Sequence, residues 1–375
     1  MAELDFSSAD YLHMSRALQL AKRGVYSTDP NPRVGCVIVK DGECISEGWH
    51  VRAGEGHAEV NALRDAGTNA QGATAYVTLE PCSHFGRTPP CSQALVDAGV
   101  SRVVVAMADP NPLVAGQGIK QLQEAGIQVA IGLLEKQAEA LNPGYLKRMR
   151  DGRPWVRCKL AMSLDGRTAM ASGESQWITS AAAREDVHRM RARSSAILTG
   201  SGTVTSDNPS MTARGEQATQ RSEQPLRVIV DSELKVSPQS AIFREQGVVK
   251  IFTLADCAPH RQKALQDIGA EVVMLPARNS RVDLKAVMHE LAELQINEVM
   301  VEAGSGLAGA LLKAELLDEL VIYMAPKLMG DAARGLFQLP GLESMADSVP
   351  LHIDDVRKVG VDLRFTIRPD YGVKL

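Results

Sequence analysis

Apolar positions along the first 131 residues follow two different periods that alternate along the chain. Runs typical of strands lie at 34–39, 44–49, 74–79, 102–106 and 128–131. Segments with helical spacing lie at 11–21, 57–66, 92–98 and 119–125. Asp41-Gly42 separates the first two strands and indicates a hairpin. The alternation predicts an α/β domain, a sheet with helices on both faces.

A stretch rich in proline, glycine and charge interrupts this pattern. Asn142-Pro143-Gly144 and Asp151-Gly152-Arg153-Pro154 enclose a short basic run at 147–150. We interpret this stretch as a boundary, which divides the chain into domains of residues 1–150 and 151–375. A chain of 375 residues is also too long for one typical core.

Strands and helices alternate again beyond the boundary, which predicts a second α/β domain. The predicted strands are 156–162, 196–199, 226–230, 249–253, 271–275, 298–302, 319–324 and 363–367. The predicted helices are 181–193, 261–268, 284–294 and 307–314. The polar stretch at 215–224 is expected to be a surface loop.

Composition and charge limit the classes of function that fit this chain. With 41 basic and 45 acidic residues, the formal charge is -4, so no global field attracts nucleic acid and a small-molecule substrate is favoured. Six scattered cysteines are too few for a disulfide framework in a chain of this length. The N-terminus lacks a signal-peptide pattern, and no apolar run approaches the length of a membrane span. We expect a cytoplasmic protein without a membrane anchor.

The chemistry of the first domain centres on His57-Ala58-Glu59, Pro81-Cys82 and Pro90-Cys91. One imidazole and two thiols suit a tetrahedral zinc ion, and three protein ligands leave a position open for water. Glu59 is not needed as a ligand and is free to carry a proton. H-x-E followed by P-C-x-x-C is the signature of zinc deaminases, although here eight residues separate the cysteines. We expect both thiols at helix starts, with the zinc held between the starts of two helices.

Other interpretations of these residues stay open at this point. An isolated H-x-E occurs by chance, and paired cysteines are often small buried hydrophobes. His84 is a candidate fourth ligand for a closed structural zinc. A deaminase acting on another nucleobase or on nucleic acid, and a zinc-stabilised binding module without turnover, are further alternatives. A deaminase with an inactive second half is the last of them.

Two glycine-containing loops follow strands in the second domain. Gly304-Ser305-Gly306-Leu307-Ala308-Gly309 opens a helix, which is the local context of a loop that holds phosphate with backbone N–H groups. No acidic residue follows at the Rossmann spacing, so we expect a dinucleotide site on a different α/β fold. The loop at 199–203 is expected to leave the same sheet edge. Glycines that only let helix and strand pack closely are the alternative.

The residues resemble a known family over essentially the whole chain: the bifunctional riboflavin-biosynthesis proteins, a pyrimidine deaminase fused to a pyrimidine reductase. The eight-residue gap between the cysteines is what this family shows. The similar segments are Asn31-Pro32-x-Val34-Gly35, His57-Ala58-Glu59, Thr78-Leu79-Glu80-Pro81-Cys82-Ser83-His84, Gly86-x-Thr88-Pro89-Pro90-Cys91, Asp109-Pro110-Asn111-Pro112, Ser163-Leu164-Asp165-Gly166 and Ser172-Gly173-Glu174-Ser175-Gln176-Trp177-Ile178.

The resemblance implies a cytidine-deaminase-like three-layer fold followed by a dihydrofolate-reductase-like α/β fold. It implies hydrolytic deamination of 2,5-diamino-6-ribosylamino-4(3H)-pyrimidinone 5′-phosphate, then reduction of the ribosyl group to ribityl by NADPH. It also implies a phosphorylated pyrimidine as the small-molecule partner and a homo-oligomer. No proton donor for the reductase is evident, and no arginine can be assigned to the cofactor's 2′-phosphate.

The resemblance also implies roles for individual residues. His57, Cys82 and Cys91 hold zinc, and Glu59 carries the proton. The implied cofactor positions are Ala161, Trp177, Thr203, Asp207, Ser232, Gly304, Ser305, Gly306, Leu307, Ala308, Gly309 and Ala310. The implied substrate positions are Asn31, His84, Asp109, Asn111, Lys159, Ser175, Arg191, Met211, Arg214 and Glu302.

Overall fold

The computed structural model describes residues 6–83, 90–112 and 114–372. These residues form two compact units, and the chain passes from one to the other between Gly152 and Arg153. Both units combine helices with a sheet, so the predicted α/β class is confirmed. Within the described ranges, no helix combines the length and the apolar character needed to cross a bilayer.

The N-terminal unit contains a five-stranded sheet in the order β2-β1-β3-β4-β5. Strand β1 pairs antiparallel with β2 and β3, whereas β3, β4 and β5 are parallel. The strands are β1 Gly35–Lys40, β2 Glu43–Trp49, β3 Thr74–Val77, β4 Arg102–Val105 and β5 Gln128–Ile131. The helices are α1 Ser8–Ala21, α2 Ala58–Ala66, α3 Cys91–Asp97, α4 Gln117–Glu124, α5 Glu135–Leu141 and α6 Pro143–Asp151.

Close helix-to-strand packing fixes where α1 and α2 lie on this sheet. A Cβ atom added to Gly35 in β1 would lie 2.0 Å from the carbonyl oxygen of Ala17 in α1. One added to Gly48 in β2 would lie 2.3 Å from the carbonyl oxygen of Ala58 in α2. Only glycine permits this approach of two backbones. The first turn of α2, which carries the H-x-E residues, is therefore held directly against β2.

The C-terminal unit contains a nine-stranded sheet in the order β11-β10-β9-β8-β14-β6-β15-β18-β17. All neighbours from β11 to β15 are parallel, and the last two strands are antiparallel additions. Its strands are β6 Trp155–Ser163, β7 Arg167–Ala169, β8 Ala196–Gly200, β9 Leu226–Val230, β10 Val249–Thr253, β11 Glu271–Met274, β12 Ala277–Arg278, β13 Arg281–Val282, β14 Glu298–Val301, β15 Glu319–Ala325, β16 Arg334–Gly335, β17 Leu351–Val359 and β18 Asp362–Pro369. Its helices are α7 Ala181–Arg193, α8 Ser201–Asp207, α9 Pro259–Asp267, α10 Leu284–Glu293 and α11 Ser305–Lys313.

Parallel strands place all their carboxyl ends at one edge of the sheet. In this unit the segments that leave β6, β8, β9, β10, β11 and β14 therefore share one edge. Apolar side chains from the two faces of the sheet pack in separate buried clusters beneath that edge. The shared edge is the place where side chains distant in sequence can meet.

Most predicted elements are confirmed within one or two residues, and the Asp41-Gly42 hairpin is confirmed with both residues at positive φ. The stretch interpreted as a boundary contains a helix that was not predicted, α6, which includes the run at 147–150; the chain passes to the second unit directly after it. Pro143 in the first turn and Gly152 in a left-handed C-cap mark the two ends of that helix. The prediction of a loop at 199–203 is wrong in part, since α8 begins at Ser201.

Candidate functional site

Three potential metal ligands converge in the N-terminal unit. His57 is the N-cap of α2, Cys82 lies in the segment after β3, and Cys91 is the first residue of α3. Their ligand atoms all lie within 4.8 Å of one another. His57 and Cys91 lie at helix starts, as predicted. Cys82 was also expected at a helix start, but it follows a strand.

The spacing of these atoms fits a zinc ion. His57 Nδ1 lies 3.2 Å from Cys91 Sγ and 3.5 Å from Cys82 Sγ. Tetrahedral zinc with ordinary Zn–N and Zn–S bonds requires nitrogen and sulfur ligands about 3.5 Å apart. Imidazole and thiolate are also the ligand types that zinc prefers. The three residues therefore form a site that can hold zinc with little rearrangement.

The start of α3 favours a negative charge on Cys82. The backbone N–H of Cys91 donates to Cys82 Sγ over 3.4 Å. A hydrogen bond from the Cys91 thiol, with a further contribution from His57, lowers the pKa of the Cys82 thiol and outweighs its burial. Because only a thiolate binds the metal, these contacts favour metal binding by Cys82.

Glu59 lies one helical position beyond Ala58 in the first turn of α2 and is 3% exposed. Burial raises the pKa of its carboxyl to about 7, although His57 opposes the shift. The carboxyl also forms a hydrogen bond with the Cys91 side chain. A buried carboxyl beside the ligands, with a pKa near neutrality, can accept and return a proton.

His50, which the sequence analysis did not select, links Asn31 to the metal ligands. Its Nε2 lies 3.1 Å from Asn31 Nδ2, and its ring packs edge-on against His57 with centroids 5.2 Å apart. Its Nδ1 contacts the Gly56 carbonyl at 3.2 Å. His50 is 2% exposed, and burial lowers its pKa. It follows β2 with no motif around it, so only the antiparallel pairing of β2 with β1 could have indicated its position.

A second group beside the cysteines surrounds Asp109 and Asn111. Tyr145 donates to both oxygens of Asp109, at 2.9 and 3.1 Å, and Asn111 N–H donates to Oδ1 at 2.9 Å. Asp109 is buried, which raises its pKa, and the Cys82 thiolate contributes to the shift. The predicted residues Asp109 and Asn111 are therefore brought together close to the metal ligands.

Glu80 organises the loop that carries them and was also missed. Its two carboxylate oxygens accept backbone N–H groups from Asp109, Gly116, Gly118 and Ile119, at 3.0 to 3.3 Å. A carboxylate that accepts four backbone donors holds a loop in one conformation. Its position directly before Pro81-Cys82 is the sequence feature that could have indicated this role. His84, which was predicted to contact the substrate and was the candidate fourth zinc ligand, lies outside the described residues.

In the C-terminal unit, Arg191 and Glu302 form a two-pronged ion pair. Arg191 Nε and Nη2 donate to the two carboxylate oxygens of Glu302 at 2.5 and 2.9 Å. The side chains are 16% and 11% exposed. Burial lowers the pKa of Lys159 on the neighbouring strand β6, while Glu302 opposes that shift. Three predicted substrate residues, Lys159, Arg191 and Glu302, are thus neighbours.

Arg214 and Met211 lie beside this group. Arg191 Nη1 donates to the carbonyl of Thr212 at 3.0 Å, and Arg214 Nε donates to Thr212 Oγ1 at 3.2 Å. Met211 is buried with φ +53°, a conformation that L side chains rarely adopt. Such strained positions cluster at binding sites. Ser175 is half-buried after β7.

The predicted glycine loop lies at the carboxyl end of β14, with Gly304 as the N-cap of α11. Thr203 Oγ1 accepts the Gly304 N–H at 3.2 Å and so joins this loop to α8. The two predicted loops therefore meet at one edge, as expected. A Cβ atom on Gly304 would meet nothing within 4 Å, whereas one on Gly309 would lie 2.1 Å from the Gln338 carbonyl oxygen. Gly304 thus leaves its backbone open to a ligand, and Gly309 serves close packing.

The remaining predicted cofactor residues are spread along the same sheet. Ala161 lies on β6, and Asp207 is the exposed last residue of α8. Ser232 follows β9 and its Oγ accepts the Val282 N–H at 3.1 Å. Trp177 is 65% exposed, with the Arg184 guanidinium 4.6 Å from its ring centroid. The other predicted cofactor residues lie in the first turns of α11: Ser305, Gly306, Leu307, Ala308 and Ala310.

Two family models match the chain, one in each unit. Residues 7–107 match the cytidine and deoxycytidylate deaminase zinc-binding region, and residues 154–365 match the RibD C-terminal domain. The fold, the candidate metal ligands and these matches define the class of protein: a zinc-dependent deaminase joined to an NADPH-dependent reductase.

Relatives that match both units identify the family. The riboflavin biosynthesis protein RibD of Escherichia coli (strain K12) is 52% identical over 363 residues, which cover 94% of this chain and 98% of that protein. The structure of Acinetobacter baumannii RibD, form 1, has a TM-score of 0.90 and 47% identity, covering 96% of this chain and 99% of that one. This chain belongs to the RibD family of bifunctional riboflavin biosynthesis enzymes.

A third relative carries the names of both reactions. It is a diaminohydroxyphosphoribosylaminopyrimidine deaminase/5-amino-6-(5-phosphoribosylamino)uracil reductase from Thermotoga maritima. Its structure has a TM-score of 0.84 and 33% identity, and the match covers 96% of this chain and 99% of that one. The resemblance stated from the sequence motifs is therefore confirmed at the level of the family.

Proposed function

We propose that this chain catalyses both reactions named for the Thermotoga maritima relative, in sequence. The N-terminal unit would remove the exocyclic amine of 2,5-diamino-6-ribosylamino-4(3H)-pyrimidinone 5′-phosphate by hydrolysis. The C-terminal unit would then reduce the ribosyl group of the product to ribityl. The convergence of His57, Cys82 and Cys91 beside buried Glu59 is the observation that carries the proposal.

In the first reaction, His57, Cys82 and Cys91 would hold the zinc ion, which would supply a Lewis acid that lowers the pKa of water. Glu59 would accept a proton released during hydrolysis and return it to the departing amine, which leaves as ammonia. A carboxyl with a pKa of about 7 can perform both transfers at neutral pH. Asn31, held by His50, and the Asp109–Asn111 group orient the pyrimidine; His84 is assigned with them from the resemblance.

In the second reaction, the substrate positions are Lys159, Ser175, Arg191, Met211, Arg214 and Glu302. When bound, NADPH would supply hydride for the reduction of the ribosyl group. The exposed guanidinium of Arg214 suits the 5′-phosphate, because guanidinium binds phosphate with paired hydrogen bonds. Arg191, whose paired donors contact Glu302, adds positive charge beside it. Lys159 and Glu302 lie next to Arg191, and we assign them to the ribose hydroxyls.

The cofactor positions in this proposal extend along the carboxyl edge of the sheet. The start of α11 offers backbone N–H groups to the cofactor diphosphate. The open side of Gly304 supports this assignment, since a side chain there would narrow the approach. Ala161, Trp177, Thr203, Asp207, Ser232 and the residues 304–310 complete the proposed cofactor set.

Mass spectrometry of the products from the diamino substrate tests the proposal directly. Without NADPH, we expect only exchange of the amino group for oxygen. With NADPH, two hydrogens should be added to the same product. An unchanged substrate in both reactions would contradict the proposal. We also propose a cytoplasmic location and a homo-oligomeric state. Light scattering after size-exclusion chromatography measures the oligomeric state.

A further inference from the structure

Part of the deaminase site lies outside the region that matches the cytidine deaminase model. That model ends at residue 107, and the reductase model begins at residue 154. The segment between them contains Asp109 and Asn111, which are proposed to orient the pyrimidine, and helix α6 at Pro143–Asp151. The start of this helix contacts both sides of the proposed pyrimidine site.

Tyr145, in the first turn of α6, holds one side of the site. It is 7% exposed, and its hydroxyl donates to the two carboxylate oxygens of Asp109 at 2.9 and 3.1 Å. It also forms a hydrogen bond with the Asn111 side chain. One phenol therefore fixes both of the substrate residues that this loop carries.

The contacts of Asp109 leave it able to bind a ligand. A carboxylate has about four lone-pair sites for hydrogen bonds. Among the described residues, Oδ1 accepts from Tyr145 and from the Asn111 N–H, whereas Oδ2 accepts from Tyr145 alone. Oδ2 thus keeps an acceptor site for an N–H group, the type of donor that an aminopyrimidine offers.

Asn142, the N-cap residue of α6, holds the loop that carries Asn31. Its Oδ1 accepts the Arg33 N–H at 2.8 Å, and its Nδ2 donates to the Arg33 carbonyl at 2.9 Å. Arg33 Nη1 donates in turn to the Leu141 carbonyl at 2.5 Å. Asn142 is 5% exposed, so its bonds form away from solvent. Because Asn31 lies two residues before Arg33, these bonds also fix where Asn31 meets His50.

We propose that Tyr145 and Asn142 are positioning residues of the deaminase, which hold Asp109 and the Asn31 loop in the arrangement that binds the pyrimidine ring. The inference rests on the proposed deaminase function. Neither residue belongs to the group of three metal ligands or to the first turn of α2 that carries Glu59. Their loss should therefore weaken substrate binding more than it slows the chemical step.

Steady-state kinetics of ammonia release by Tyr145→Phe, in the full-length protein loaded with zinc, test the proposal. The KM for the diamino substrate should rise roughly tenfold, the effect of one hydrogen bond to a charged group, and kcat should change less than about threefold. Asn142→Asp keeps the acceptor for the Arg33 N–H and loses the donor to the Arg33 carbonyl, so its KM should also rise.

Substrate binding is measured separately from turnover. In a Glu59→Gln background, which slows consumption of the substrate, calorimetry should show that Tyr145→Phe raises the Kd roughly tenfold. Combination with Asp109→Asn shows whether Tyr145 acts through Asp109. Tyr145→Phe should then add little to the effect of Asp109→Asn, because two changes in one interaction are not additive.

Tyr76→Phe is the matched control. Tyr76 is a buried tyrosine of β3 in the same unit, and its hydroxyl donates to the Asp10 carboxylate in α1 at 2.8 Å. Its loss removes the same kind of bond from a pair outside the proposed site. Thermal unfolding of the two variants should therefore shift by similar amounts, whereas only Tyr145→Phe should change the KM.

The outcomes separate this inference from the proposed reaction. Unchanged KM and Kd in Tyr145→Phe, with ammonia release by the wild-type protein, would overturn the positioning role and leave the reaction standing. An equal rise of KM in Tyr76→Phe would also overturn it, because a general loss of stability would then explain both variants. If Tyr145→Phe weakens substrate binding but the wild-type protein releases no ammonia, the proposed reaction fails and the positioning role stands.

Discussion

The two active-site regions differ in how far apart their residues lie along the chain. His57 and Cys91 of the deaminase site are 34 residues apart, and each begins a helix that packs beside the sheet. Arg191 and Glu302 of the reductase site are 111 residues apart and meet only because β14 lies between β8 and β6. The first site is thus set by local helix starts, and the second by the order of strands in the sheet.

This difference determines whether a substitution in each site changes activity alone or also changes stability. The deaminase site depends on a few atoms around one ion, so removing one carboxyl should remove one activity and leave the fold intact. The reductase site uses a buried ion pair that also joins a helix to the central strands of its unit. Changing that pair should therefore affect stability and activity together.

Replacement of Glu59 by Gln is expected to have the largest effect. Loss of the proton carrier should reduce ammonia release by roughly 10²- to 10⁴-fold. NADPH oxidation with the deaminated intermediate should be unchanged, because the reductase residues lie in the other unit. Ammonia release and NADPH absorbance measure the two reactions separately.

Zinc content is the control for this variant. Glu59 is not among the three ligands, so Glu59→Gln should retain one zinc per chain, whereas Cys91→Ser should lose it. A parallel loss of both activities in Glu59→Gln would contradict the separation of the two sites. A normal rate of ammonia release would remove Glu59 from its proposed role.

Glu302→Gln is expected to have the next largest effect. It leaves the buried Arg191 guanidinium without its carboxylate, and loss of one partner of a buried pair costs about 3 kcal/mol. Hydrogen exchange of peptides from α7 and β14 should report this loss, while NADPH oxidation falls and ammonia release continues. Glu185→Gln is the control, because Glu185 is an exposed partner of Arg189 on the same helix. Unchanged exchange in Glu302→Gln would show that the pair does not stabilise the unit.

Local signals explain which parts could be predicted from the sequence. The hairpin and most strands follow from apolar runs bounded by turn residues, and the zinc ligands follow from a motif within one short segment. The role of His50 depends on a ring contact with His57, which no local pattern indicates. Glu80 directly precedes Pro81-Cys82, but its role depends on four backbone donors of a later loop.

Two errors have specific physical reasons. Helix α6 contains basic residues between a proline and a glycine, and the same residue types mark both linkers and helix ends. Strand β17 was not predicted, because both of its faces are largely exposed and its apolar residues alternate with charged ones. Helix α6 buries Tyr145 and Leu146 but is only nine residues long, and no residue of β17 is buried.

Gly309→Ala tests whether the glycine loop of the reductase depends on long-range packing. The added Cβ atom would lie 2.1 Å from the backbone carbonyl of Gln338, so the segment or the helix must move. Such overpacking costs about 2 to 3 kcal/mol and should weaken NADP⁺ binding. Gly335→Ala is the control, because Gly335 lies outside the proposed cofactor set and a Cβ atom there meets nothing within 4 Å. Equal affinities in the two variants, measured by calorimetry, would contradict the close-packing role of Gly309.

Asp10→Asn tests long-range support in the deaminase unit and should have the smallest effect. Asp10, in α1, accepts hydrogen bonds from Tyr76 in β3 and Arg102 in β4, at 2.8 and 2.7 Å. Burial alone would raise its pKa, but the bonds from Arg102, Tyr76 and Ser7 outweigh it and hold the pKa well below its usual range. Because Arg102 is 31% exposed, we expect a loss of about 2 kcal/mol at pH 7.

The pH dependence of that loss follows from the direction of the shift. A carboxyl whose pKa is lower in the folded state stabilises the fold fully above its unfolded pKa of about 3.9. This contribution decreases as the pH falls through that value and is lost only below the lower pKa of the folded state. The difference between wild type and Asp10→Asn, measured by hydrogen exchange in α1 and β3, should therefore shrink between about pH 5 and pH 3. Asp65→Asn, at an exposed pair with Arg64, should show little difference at any pH. A constant difference for Asp10→Asn would mean that lost packing, and not the charge, accounts for it.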